Sequence, residues 1–161
     1  MVLSPRTRVG TPAKRPLRRG SVLLSHDMQE VDLPAKTLIS IIDDDKDFRD
    51  ALQGLMTSMG FTVEAFSSAL DFLARMNIRD TSCLIVDVHM PEMTGIELHR
   101  RLVESGYAIP TILITAYPDE SVRVRAMADG VICYLTKPCD SDELLACVSS
   151  ALERAERGEH R

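Results

Sequence analysis

Leu38-Ile39-Ser40-Ile41-Ile42, Cys83-Leu84-Ile85-Val86 and Thr111-Ile112-Leu113-Ile114-Thr115 are nearly unbroken apolar runs of strand length. A strand wetted on one face alternates polar and apolar residues, so runs without alternation belong to strands covered on both faces. Phe61 to Phe66 alternates loosely and Val131 to Leu135 is again apolar, which makes five predicted strands. Between them the apolar period changes to that of a helix. Phe48, Ala51, Leu52, Leu55, Met56 and Met59 recur at i, i+3, i+4 and i+7, and Gly60 can close that helix. Ala69, Leu70, Phe72 and Leu73 mark a second helix. Ile96, Leu98, Leu102 and Val103 mark a third, opened by Thr94 or Gly95. Asp119 to Asp129 reads as a weakly amphipathic fourth. Leu144, Leu145, Val148 and Leu152 line a fifth, for which Asp140 and Glu143 suggest a capping box. Five strands alternating with five helices predict a three-layer α/β sandwich around a parallel sheet.

The chain of 161 residues is long enough for one such domain and an extension. Residues 1–36 hold Pro, Gly, Ser and Arg without sustained periodicity and are expected to be a disordered extension, residues 37–156 the folded domain, and residues 157–161 a short tail. Residues 1–20 carry Arg6, Arg8, Lys14, Arg15, Arg18 and Arg19 and no acid, so the remainder is more acidic than the overall net charge of −5. An acidic body argues against nucleic acid as the partner of the domain. No apolar stretch approaches the roughly 20 residues that span a bilayer, so no membrane contact and a cytoplasmic location are expected. Cys83, Cys133, Cys139 and Cys147 lack paired metal-ligand spacing and are expected as reduced, largely buried thiols.

Ligands of parallel α/β sheets sit beyond the carboxyl ends of the strands. The first strand ends in Asp43-Asp44, the third in Asp87 and the fourth in Thr115, while Lys137-Pro138 follows the fifth. Three acids, a hydroxyl and an ammonium thus converge on one rim. Two like charges about 4 Å apart repel by roughly 4 kcal/mol at an effective dielectric near 20. A hard divalent cation relieves this, and oxygen ligands suit Mg²⁺. The chemistry that matches is phosphoryl transfer to a carboxylate, which depends on positioning and charge neutralisation. The nearby Asp45, Asp47 and Asp50 read as solvated loop and helix residues.

Ile41-Ile42-Asp43-Asp44-Asp45, Asp87-Val88-His89-Met90-Pro91-Glu92-Met93-Thr94-Gly95, Ile114-Thr115-Ala116 and Leu135-Thr136-Lys137-Pro138 resemble, in order, the four motifs of the response-regulator receiver family. The resemblance covers residues 37–156, and the Phe48-Arg49-Asp50-Ala51-Leu52 helix start looks closest to receivers of the nitrogen-fixation regulator type. It implies a flavodoxin-like (βα)5 fold with strand order 2-1-3-4-5. It also implies Asp87 as phosphoacceptor, with Asp44 and Asp87 as direct Mg²⁺ ligands. Asp43 would act mainly through water and His89 through its main-chain carbonyl. Lys137 and Thr115 would bind the phosphoryl group, Tyr134 would change rotamer with Thr115, and Pro138 would follow a cis peptide bond. The partners implied are a histidine kinase or phosphotransfer domain, a downstream protein on the helix 4–strand 5–helix 5 face, and optionally a second copy. Catalysis is limited to self-phosphorylation and slow autodephosphorylation.

Two positions depart from the commonest pattern. His89 and Tyr117, beside Ala116, stand where the family tunes water attack on the phosphoryl group, and Asp129-Gly130-Val131 replaces the usual small-residue turn. With few residues after the last helix, the expectation is a stand-alone receiver; the alternative is the receiver part of a transcription regulator. A hydrolase of small phosphate esters would need an acid two residues after its nucleophile, where this chain has His89.

Overall fold

The computed structural model describes residues 37–158, together with Val22–Leu23 and Glu30–Val31, which pair antiparallel. The rest of the expected disordered extension, and residues 159–161 of the tail, lie outside the described residues. The domain alternates β1 (Leu38–Ile42), α1 (Lys46–Ser58), β2 (Thr62–Phe66), α2 (Ala69–Leu73), β3 (Cys83–Asp87), α3 (Gly95–Glu104), β4 (Thr111–Thr115), α4 (Glu120–Ala128), β5 (Cys133–Thr136) and α5 (Ser141–Glu156). A single 3₁₀ turn, Ile78–Asp80, leads into β3.

All five strands are parallel, in the order β2-β1-β3-β4-β5. Every residue of β1, β3 and β4 is buried, which is why their sequences do not alternate. Successive side chains still point to opposite faces. Ile39, Ile41, Ile85, Ile112 and Ile114 meet Leu52 and Met56 of α1 and Leu144 and Val148 of α5. Ile42, Leu84, Val86 and Leu113 meet Phe72 of α2, Leu98 and Leu102 of α3 and Ala126 of α4. Each fully buried aliphatic side chain contributes about 1.5–3 kcal/mol. Ser40, alone polar in β1, bonds Thr81 across 2.8 Å and so costs no unpaired hydroxyl.

Three local details differ from the sequence-based expectations. The reciprocal capping box sits at Thr94 and Glu97, opening α3, whereas Asp140 caps α5 with its own side chain on Asp142 N. β5 starts at Cys133 and not Val131, because Val131 N bonds Ala126 O to finish α4 and Ile132 N bonds Thr111 O. Cys133 and Cys147, expected as reduced thiols, are joined as a disulfide between β5 and α5, Cα atoms 6.2 Å apart. They lie 14 residues apart, and only the packing of α5 over the sheet brings them together. Cys83 and Cys139 are free, and complete burial pushes the Cys83 thiol up to about 12, leaving it inert near neutrality.

Candidate functional site

Strand order decides where the chemistry gathers. β1 is flanked by β2 on one side and β3 on the other, so the chain reverses its direction of progress across the sheet between β1 and β3. That is the switch point of an open parallel sheet, where a crevice opens beyond the strand ends. Asp43 follows β1 there and Asp87 ends β3, both buried, while Asp44 beside them is exposed. Carboxylate oxygens of Asp43, Asp44 and Asp87 all lie within 4.8 Å of one another.

Lys137 closes the cluster from the far side of the sheet. Its backbone N donates to Thr115 O at 2.7 Å, just past the ends of β4 and β5. Its Nζ reaches Asp43 Oδ2 at 2.7 Å and stands 3.5 Å from Asp87 Oδ2. The following Lys137–Pro138 peptide is cis. The ion pair spans 94 residues of sequence, so it belongs to the tertiary fold and not to a local motif.

Burial, then repulsion from Asp43, raises the Asp87 carboxyl to about 6, against the pull of Lys137 and of the His89 N–H, with Asp44 adding to the rise. Burial alone would lower the Lys137 ammonium, but its hydrogen bond and charge attraction to Asp43, and then Asp87, hold it above its ordinary value. The nest is therefore overloaded with negative charge that one ammonium does not neutralise. Hard oxygen donors in mutual repulsion are what a divalent cation such as Mg²⁺ satisfies, and the three carboxylates fit that ion.

The remaining sequence-derived residues take definite places. Thr115 is fully buried, and its Oγ1 accepts from Tyr117 N at 3.0 Å, leaving its hydroxyl proton free to donate. Ala116 lies exposed between them. Tyr134 is half-buried on β5, and its hydroxyl accepts from Asp119 N at the start of α4, 3.2 Å away. His89 N donates to Asp87 Oδ1 at 3.3 Å, while its exposed imidazole meets Tyr117 edge to face, ring centres 5.7 Å apart. Gly95 is required by closeness: a Cβ there would overlap the carbonyl oxygen of Asp87 itself.

Two contributors lie outside the site residues that the sequence singles out. Arg49 Nη1 donates to Asp43 O at 2.6 Å and pins the acidic loop. Phe48 turns its ring toward the Lys137 ammonium, 4.2 Å from the ring centre. The i, i+3 pattern gave Phe48 a core role, and only the position of Lys137 reveals the second one.

A family model described as the response regulator receiver domain matches residues 39–149. Among curated proteins, the response regulator protein TodT of Pseudomonas putida is 42% identical over 119 residues, 74% of this chain and 52% of TodT. The transcriptional regulatory protein FixJ of Bradyrhizobium diazoefficiens is 36% identical over 124 residues, 77% of this chain and 60% of FixJ. The chain thus matches little more than half the length of these relatives. Among solved structures, the response regulator StyR superposes with a TM-score of 0.70 at 38% identity, covering 76% of this chain and 62% of StyR. FixJ-N superposes with a TM-score of 0.67 at 32% identity, covering 74% of this chain and 96% of that one.

Proposed function

The chain belongs to the response regulator receiver family, and on that premise we propose that Asp87 accepts a phosphoryl group from the phosphohistidine of a histidine kinase or phosphotransfer protein. The observation that carries this reading is the cluster in which Asp43, Asp44 and Asp87 share one rim with the Lys137 ammonium. In the transfer, an Asp87 oxygen forms the P–O bond as the P–N bond to the imidazole breaks, and the imidazole keeps the released electron pair. Asp43, Asp44 and Asp87, with the main-chain carbonyl of His89, would hold a Mg²⁺ ion, which would neutralise the acids and the arriving phosphoryl oxygens. Lys137 binds one phosphoryl oxygen, and the free hydroxyl proton of Thr115 serves another. This is self-catalysed group transfer with slow hydrolysis afterwards, not turnover of an external substrate.

A phosphoryl group adds about −1.5 to −2 charges and strong acceptors. Drawing Thr115 toward it vacates space beside β4, which Tyr134 fills by leaving Asp119 N. That exchange ties the phosphorylation state to the start of α4, and so to the α4–β5–α5 face, where a downstream protein or a second copy docks. No helix among the described residues is long and apolar enough to cross a membrane, and we assign the protein to the cytoplasm as the compartment of its kinase. Tyr117 and His89 together form an aromatic flank at the mouth of the site. Tyr117→Ala opens that flank to water and shortens the lifetime of the phosphorylated form severalfold, as measured by its decay in excess Mg²⁺ after the donor is removed.

A second reading, the receiver portion of a transcription regulator, is favoured by one observation: the relatives it matches are about twice as long as the matching region, and FixJ is named as a transcriptional regulator. A reading frame found to continue past Arg161 into a helix-turn-helix would support it. The receiver role itself is tested by phosphotransfer profiling against the histidine kinases of the source organism. One kinase should label the protein far faster than the others, and Asp87→Ala should abolish that labelling; transfer from none, or undiminished labelling of the variant, contradicts the reading.

A further inference from the structure

We propose that Phe48 is a positioning residue for phosphoryl uptake, the face of its ring seating the Lys137 ammonium so that its N–H donors stay aimed at the acceptor site. The inference rests on the phosphoacceptor reading of Asp87 and adds a residue to it. A lysine stem has four rotatable carbons and a strongly hydrated head, and it ordinarily holds no fixed position. Here the side chain is only 14% exposed. The ring covers the ammonium at 4.2 Å from its centre, within the range of a cation–π contact. On its other sides Nζ has Asp43 at 2.7 Å and Asp87 at 3.5 Å. The aromatic face thus closes the direction in which the ammonium would otherwise withdraw into water.

The ring is itself held by the acidic loop. Asp43 Oδ1 accepts from Asp45 N at 2.9 Å, and Asp45 caps α1 by accepting from the backbone N–H groups of Asp47 and of Phe48. The loop that presents the acids therefore also fixes the residue that seats their counter-charge. Leucine or methionine would fill the same apolar space between α1 and the sheet but has no ring quadrupole to attract a cation.

The test measures phosphoryl uptake from phosphoramidate with saturating Mg²⁺, by intact mass against time, for wild type, Phe48→Leu, Phe48→Met and Phe48→Tyr. Phe48→Leu and Phe48→Met should slow uptake by about threefold to twenty-fivefold, while Phe48→Tyr, which keeps the aromatic face, should stay near wild type. A merely structural role would slow uptake and weaken Mg²⁺ affinity in step with any loss of stability, whereas here Mg²⁺ affinity stays at the wild-type value and the slowing follows loss of the aromatic face. The side-chain methylene protons next to the Lys137 ammonium should carry an upfield ring-current shift that Phe48→Leu or Phe48→Met removes and Phe48→Tyr retains. Equal rates across the series, or a Lys137 methylene shift indifferent to the ring, overturn the proposal. Failure of wild type to take up phosphate at all overturns the phosphoacceptor reading instead.

Discussion

Asp87→Asn makes the metal-free protein more stable at neutral pH, although it removes the proposed phosphoacceptor. Asp87 has a folded-state value raised from 3.8 to about 6, chiefly by burial and by Asp43. A raised value means that the folded state binds the proton more tightly than the unfolded chain does. The stability this carboxyl provides is full below its ordinary value and is lost as pH climbs through about 6. At pH 7 the ionised group is a burden, worth about 1–3 kcal/mol after allowing for the rim's access to water. Asparagine has the same shape and no charge. Urea unfolding in a chelator should show wild type losing stability relative to Asp87→Asn between about pH 4 and pH 6, with the variant ahead at pH 7. Mg²⁺ should then favour wild type, since the variant has lost one of the three carboxylates proposed to hold the ion. A variant less stable than metal-free wild type at pH 7 would mean that the acids are not in the conflict described.

Lys137→Met acts in the opposite direction. It leaves Asp43, almost wholly buried, without its 2.7 Å partner and removes one of the two groups that hold Asp87 down. Removing one partner of a buried pair strands the other charge. The expected loss is about 3 kcal/mol at pH 7 without metal, near the low end for buried pairs because the rim is open. Part of it returns when Mg²⁺ is added, because the cation replaces the missing positive charge. On the proposed role of Lys137, phosphoryl uptake should slow as well. Unfolding curves with chelator and with Mg²⁺ measure the first effect. Equal stability of variant and wild type in chelator would show that the Lys137–Asp43 pair is not the counterweight that holds the acidic rim.

These two opposed expectations come from residues already visible in the sequence, and the reason is physical. Buried parallel strands advertise themselves as unbroken apolar runs, and the first residue past each run must lie at the rim. The pattern therefore places Asp43, Asp87, Thr115 and Lys137 at one edge of the sheet. What periodicity does not carry is which side of a residue a distant element will cover. Phe48 reads as one more apolar position of α1, and its contact with Lys137 exists only because β1 and β5 end on the same edge. Cys133 and Cys147 belong to the same category, paired by the packing of α5 across the sheet. α4 was marked by weak amphipathicity, and it buries only Ala126 fully, so its ends were set by Asp119 as a cap and by hydrogen bonds from Asp129 and Gly130 more than by a hydrophobic stripe. The displaced capping box shows the same limit from another side. Asp140 and Glu143 have the right spacing, but the reciprocal bond also needs the side chain at the third position to turn back, which Glu97 does and Glu143 does not.

The most direct test of the phosphoacceptor assignment is the mass of the intact protein after incubation with phosphoramidate and Mg²⁺, followed by peptide mapping. The assignment predicts the gain of a single phosphoryl group on the peptide containing Asp87, absent when Mg²⁺ is chelated and absent from Asp87→Asn. No gain under those conditions, or a label that maps to Asp44 or His89, would contradict it.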